Sequence, residues 1–244
     1  MLRLVVSRHT IAASIAAASL LGGGAQAHGR APIVAELFTS QGCAACEAAD
    51  SLPAALSARP DVLALTFPVD YWDYLGWRDT YAQPAFSERQ KAYAKAMGVR
   101  EVFTPQVVVE GAAQAGRPAP GQTLDQATED LIQAAAKMRA RPGPAVAFKG
   151  ARTVRVGAGL APRGGADVWL VLYQATPADT PVTAGENRGK TVRYHNVVRE
   201  LERLGGWTGR ARSYAEPQAV AGGLKRLVLV QAKGGGRILS LAVD

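Results

Sequence analysis

The sequence predicts an α/β fold in two parts: a layered α/β domain followed by a mainly β, sandwich-like domain. Three observations predict it. Over residues 32–139, apolar strand-like runs alternate with helix-forming segments. Arg141-Pro-Gly-Pro144 then punctuates the chain sharply. Beyond it, short runs with alternating polar and apolar residues recur between glycine-rich turns, the pattern of sheets with one wet face.

Each element follows from local chemistry. Pro32 to Thr39 reads as a buried strand, because its apolar run is bounded by turn residues. Ser40 to Cys43 is a loop. Ala44 to Ala58 has helix-forming composition, with Ala49, Leu52, Ala55 and Leu56 on one face. Pro53 inside it conflicts with an unbroken helix. Val62 to Phe67 is a second strand. Pro84 to Met97 is a helix, with proline in its first turn and Gly98 past its end. Gln106 to Glu110 is a third strand, Ala112 to Gly116 can pair back as a short edge, and Leu124 to Arg139 closes the domain as a helix. In the second part, residues 145–148, 153–156, 168–173, 226–230 and 237–243 read as strands. Val192 to Leu204 is ambiguous between strand and helix.

Composition narrows the class. With 244 residues, 48% hydrophobic and 20% charged, the chain can bury a core of its own. Residues 1–27 read as a secretory signal. Arg3 and Arg8 form its basic start, Ile11 to Leu21 is uncharged, and Ala25-Gln-Ala27 is a small-x-small cleavage pattern. The apolar run falls short of the roughly 20 residues of a membrane span. The expected mature chain therefore begins near His28, divides into residues 28–142 and 143–244, and is periplasmic or secreted. It has no integral membrane span. The formal charge of +8 falls to about +6 without the leader. The basic residues are dispersed, so the charge describes a solvated surface and not a nucleic-acid footprint.

Only two cysteines are present, Cys43 and Cys46, and three histidines, His9, His28 and His195. That supply excludes a disulfide scaffold or a four-cysteine zinc site, and no cofactor is implied. Glu47 after the second cysteine excludes covalent haem attachment. The cysteines form a CxxC between a buried strand and an expected helix start, where unpaired N–H groups stabilise a thiolate. Cys43 is then the exposed nucleophile and Cys46 the more buried resolving thiol. The competing reading is a passive disulfide, although so small a loop is a poor staple.

Thr104-Pro105 precedes the third strand. The order CxxC, strand, helix, Thr-Pro, strand, helix fits a thioredoxin-like arrangement, in which such a proline is cis and faces the dithiol. Glu36 sits mid-strand, seven residues before Cys43. It reads either as a buried acid that moves protons for the resolving thiol or as an edge residue facing water. Asp70 to Trp77 is aromatic-dense and follows the second strand. Tyr71, Trp72 and Trp77 are candidates for a substrate groove or for the packing of the second domain. His195 and the polar cluster Gly185 to Gly189 show no triad or metal spacing.

The stretch Glu36-Leu-Phe-Thr-Ser-Gln-Gly-Cys43-x-x-Cys46 is joined by Ala49-Asp50, Asp70 to Trp77, Thr104-Pro-Gln106, Asn187-Arg-Gly189 and His195-Asn196. Together they resemble a family of secreted bacterial proteins of unknown function. The resemblance implies a thioredoxin-like core followed by a β-rich region. The pattern associated with that family has Ser-Ser between the cysteines and Pro-Pro after them. Here Ala44-Ala45 and Glu47-Ala48 stand instead, and Glu47 sets a negative charge beside the dithiol. The leading expectation is an exported thiol-disulfide oxidoreductase acting on protein thiols or disulfides in the cell envelope. The rivals are a binding module with a passive disulfide and a copper-handling thiol protein.

Overall fold

The computed structural model describes residues 31–138, 143–217 and 220–244. The leader expected over residues 1–27 and the break at Arg141-Pro142 lie outside the described residues. The fold is mixed α/β, built on one eight-stranded sheet.

Strand β1 (Ile33–Thr39) is buried along its whole length, which is why its sequence is apolar without alternation. Its even positions Val34 and Phe38 enter one core and its odd positions Ile33, Ala35 and Leu37 another. After β1 come two single 3₁₀ turns, Ala44–Cys46 and Ala49–Ser51, and then the short helix α1 (Leu52–Ser57). The helix-forming stretch Ala44 to Ala58 is thus shortened to α1, in line with the conflict that Pro53 poses. Pro53 lies in the first turn of α1, where a missing N–H costs nothing, so the backbone before it is left as 3₁₀ turns.

Strand β2 (Val62–Pro68) pairs in parallel with β1, setting Ile33 opposite Val62. Helix α2 (Pro84–Ala96) follows, with Gly98 left-handed just beyond it at φ +67°. Strand β3 (Gln106–Val109) runs antiparallel to β1, and β4 (Ala113–Ala115) pairs with β3 as the edge. Helix α3 (Leu124–Met138) packs Ile132 and Ala135 with Leu52 and Leu56 of α1 on the odd face of β1.

From residue 145 on, the described residues form strands and loops only. They are β5 (Val146–Phe148), β6 (Thr153–Val156), β7 (Ala166–Gln174), β8 (Ala178–Pro181), β9 (Thr191–Tyr194), β10 (Val197–Trp207), β11 (Arg212–Ala215), β12 (Leu224–Ala232) and β13 (Ile238–Val243). The ambiguous stretch from Val192 thus resolves into β9 and β10. Asn196 turns between them at φ +47°, a conformation asparagine tolerates.

The large sheet runs β13-β12-β7-β10-β2-β1-β3-β4. Strand β10 joins β2 at Val197 opposite Thr66, so strands from both sides of the Pro-Gly break share one sheet. The core on the even face of β1 is shared as well: Phe38, Phe67 and Phe86 meet Val171, Val198, Leu227 and Leu229. A small sheet, β11-β6-β5, packs Val154 and Val156 on Val168, Leu170 and Val228, which makes a local sandwich. The paired strands β8 and β9 form a third layer near the end of β1, around Tyr194 and Trp77.

Candidate functional site

Cys43 and Cys46 are joined as a disulfide, their Cα atoms 5.4 Å apart. They sit on the loop that leaves the C-terminal end of β1. The Cys46 N–H donates to the Cys43 carbonyl at 3.1 Å and closes the first 3₁₀ turn. A turn of three residues has a much smaller dipole than the helix start expected there. Any stabilisation of a Cys43 thiolate must therefore come mainly from neighbouring groups.

Those groups are present. The Thr104-Pro105 peptide is cis. The Thr104 hydroxyl donates to Cys43 Sγ at 3.2 Å, and the Trp72 indole N–H donates to Thr104 Oγ1 at 2.7 Å. A donor chain from Trp72 through Thr104 thus ends on the sulfur. Exposure corrects one expectation: Cys43 is only 3% exposed and Cys46 fully buried, so the first cysteine is not open to solvent.

Glu36 is buried, as one of its two readings has it, and it is held in an ion pair. It lies on the face of Val34 and Phe38, across the sheet from Leu52 and α1. Its carboxylate takes a bidentate pair from Arg89, at 3.0 Å to Nε and 2.7 Å to Nη2. Arg89 also reaches Tyr93 and Gln231, so the pair is a buried structural tie.

The buried acid near the dithiol is Asp50, four residues after Cys46. Its Oδ1 accepts from the Thr39 hydroxyl at 2.6 Å. Its carboxyl is pushed up to about 7, chiefly by burial and in part by Asp79 and Glu47, against the Thr39 bond that pulls it down. Asp79 is buried too. It accepts from the Gln41 N–H at 2.7 Å and from the Tyr194 hydroxyl at 2.8 Å. Its carboxyl is likewise raised by burial, against these bonds. Asp50 lines a cavity of about 220 Å³ together with Glu47, Asn187, Lys190, Arg193 and His195. Glu47, which sequence sets against the thiolate, is paired with Lys190 at 2.6 Å.

The aromatic loop divides its labour. Trp72 serves the donor chain, and its ring packs with Tyr71 on the shared core. The Tyr71 hydroxyl donates to Gln90 at 3.1 Å. Trp77 donates to Gln41 Oε1 at 3.0 Å and packs on the cluster around Tyr194. Trp77 therefore lies against the β-rich part of the chain.

Sequence reasoning gave no role in the site to Asp50, Gln41, Asp79, Tyr194 and Asn187, although Gln41, Asp50 and Asn187 stand among the residues that carry the family resemblance. Gln41 is fully buried. It spends its backbone N–H on Asp79 and its side-chain carbonyl on Trp77 and Thr80. Asn187 Nδ2 donates to the carbonyls of Gln41 at 2.9 Å and Cys43 at 3.2 Å. Asp50 carried a local signal, a charge one turn after Cys46, and Asn187 lay in the polar cluster Gly185 to Gly189. The others act across long sequence separations.

A family model described as Protein of unknown function (DUF1223) matches residues 34–231. Among solved structures, a structural-genomics crystal structure of an Agrobacterium tumefaciens protein is 26% identical, with a TM-score of 0.68. The match covers 88% of this chain and 95% of that one. HBP35 of Porphyromonas gingivalis is 12% identical with a TM-score of 0.54, over 88% of this chain and 74% of that one, a likeness of fold alone. No curated protein matches. Among the described residues, no helix is long and apolar enough to cross a membrane.

Proposed function

Since the chain belongs to the DUF1223 family of proteins of unknown function, its chemistry must be read from its own site, and we propose that it is an exported thiol-disulfide oxidoreductase. Residues 33–138 supply a thioredoxin-like core in this reading. The observation that carries it is the donor chain from Trp72 through Thr104 to Cys43 Sγ. A disulfide needs no donated hydrogen bond, whereas a thiolate gains from one.

The cycle balances as follows. A thiolate of a partner protein attacks Cys43 Sγ. The Cys43–Cys46 bond breaks, and Cys46 leaves with the electron pair as a thiolate that takes a proton from solvent. A second partner thiolate attacks the partner sulfur of the mixed disulfide and releases Cys43 as a thiolate. The partner has lost two electrons and gained a disulfide, and the Cys43/Cys46 pair is reduced. The reverse sequence reduces a partner disulfide. The site would act on protein thiols or disulfides in an oxidising compartment, the cell envelope.

A second reading, a passive disulfide in a partner-binding protein, draws on the near-complete burial of Cys43. Trapping separates the two. A Cys46→Ala chain expressed with its leader should accumulate mixed disulfides with envelope proteins through Cys43. If none forms, and Cys43→Ala behaves the same, the passive reading stands.

A further inference from the structure

The turn from Val182 to Lys190, in the β-rich part of the chain, bonds directly to the cysteine loop. The turn is knit internally: the Val182 N–H donates to the Lys190 carbonyl at 2.9 Å and the Gly189 N–H to the Val182 carbonyl at 2.8 Å. It is seated on the aromatic loop at Gly185, which is left-handed at φ +73° and would bring a Cβ within 3.1 Å of Trp77 Cβ. Three side chains cross from it to the cysteine loop. Glu186 accepts from the Ala44 N–H at 3.4 Å, Lys190 pairs with Glu47 at 2.6 Å, and Asn187 donates to the Gln41 and Cys43 carbonyls. The first two contacts are exposed and weak. Asn187 differs, being 2% exposed with both bonds inside the fold. Its Oδ1 is buried with no hydrogen-bond partner among the described residues. Its carboxamide is thus committed, through its donors alone, to the two carbonyls that flank Gly42.

Attack on a disulfide needs the incoming sulfur to reach Cys43 Sγ, and Cys43 is 3% exposed. Exchange therefore needs a local opening around Cys43, and an opening that moves the cysteine loop away from the 182–190 turn breaks both Asn187 bonds. We propose that Asn187 is a latch, a positioning residue through which the β-rich region sets how fast the Cys43–Cys46 disulfide can be attacked. The latch holds the loop shut at rest, and a docking partner that displaces the 182–190 turn frees Cys43. This gives the second part of the chain a role in the redox site. The inference rests on the redox reading for its purpose, not for its measurement.

The test is the rate at which dithiothreitol reduces the disulfide of the full chain at fixed pH, read by quenching with iodoacetamide. Asn187→Leu is close in size and removes both donors. It should be reduced about tenfold faster or more, the scale expected for two lost hydrogen bonds. Reoxidation by oxidised dithiothreitol should accelerate by the same factor, leaving the equilibrium between the two couples unchanged. A merely structural role would lower the melting temperature and leave both exchange rates of the folded protein unchanged. Lys190→Ala should stay within about twofold of wild type. If Asn187→Leu does not fold, Asn187→Ala serves, since it likewise lacks donors. In the wild type, urea below the unfolding transition should accelerate reduction before the far-UV signal changes. Unchanged rates in folded Asn187 variants, or reduction that waits for global unfolding, would overturn the latch. A latch confirmed without mixed disulfides from Cys46→Ala would instead remove the oxidoreductase reading alone.

Discussion

At the residue scale, the dithiol is governed by two groups whose effects have opposite readouts. Thr104 donates to Cys43 Sγ and so favours a thiolate there. Thr104→Val keeps the shape and removes the donor. It should raise the Cys43 thiol pKa by about one unit, measured from the pH dependence of alkylation of the reduced protein. Asp50 governs stability. A free aspartate ionises near 3.8, while Asp50 in the fold holds its proton up to about 7. Between those values the folded chain binds a proton that the unfolded chain has lost, so this residue makes stability fall as pH rises. Asp50→Asn should therefore flatten the urea stability profile between about pH 4 and 7 and stabilise the protein by about 1–3 kcal/mol at pH 8. An unchanged profile would show that burial does not hold the proton there. The two cysteines and Thr104-Pro105 were legible in the sequence because spacing and proline chemistry are local. Glu36 was left between a buried and an edge position for the converse reason. A strand position does not reveal which face it points to, and its partner Arg89 lies 53 residues away.

At the element scale, most strands and helices could be read from hydrophobic pattern, because β1 to β3, α2 and α3 each carry an unambiguous run or cap. The segment that carries the chemistry could not. Its composition favours helix, yet Pro53 becomes the start of α1 and leaves two 3₁₀ turns upstream. That backbone lowers the contribution of a helix dipole to the thiolate and shifts the burden to side chains. The aromatic loop between β2 and α2 takes it up. Trp72→Phe keeps a ring on the shared core but removes the N–H that polarises the Thr104 hydroxyl. It should raise the Cys43 pKa by less than Thr104→Val does. Combined with Thr104→Val it should add almost nothing, because the chain is already broken. Additive shifts in the double variant would mean that Trp72 acts on the sulfur by another route.

At the scale of the whole molecule, the sheet that joins the two parts was not legible, because the pairing of Val197 with Thr66 leaves no local signature. Strand β10 extends β2, and the core on the even face of β1 is filled by β7, β10 and β12. Arg89 ties the same layers together. It bonds Glu36 on β1, Tyr93 on its own helix and Gln231 on β12, and its guanidinium stands 5.5 Å from the Phe67 ring centroid. A fragment ending at residue 142 would expose Phe38, Phe67 and Phe86 and leave Arg89 without Gln231. The whole chain should therefore unfold in one urea transition, with far-UV and tryptophan signals coincident, and the fragment 28–142 should bind a hydrophobic dye such as ANS or aggregate. Arg89→Met tests the tie directly. It leaves the Glu36 carboxylate buried without its partner, so it should cost about 3–5 kcal/mol, and the double variant Arg89→Met/Glu36→Gln should recover part of that loss. If Arg89→Met shifted the signal of Trp169 on β7 while the far-UV transition stayed in place, the two parts would be unfolding separately. The shared core would then not be what makes the chain a single cooperative unit.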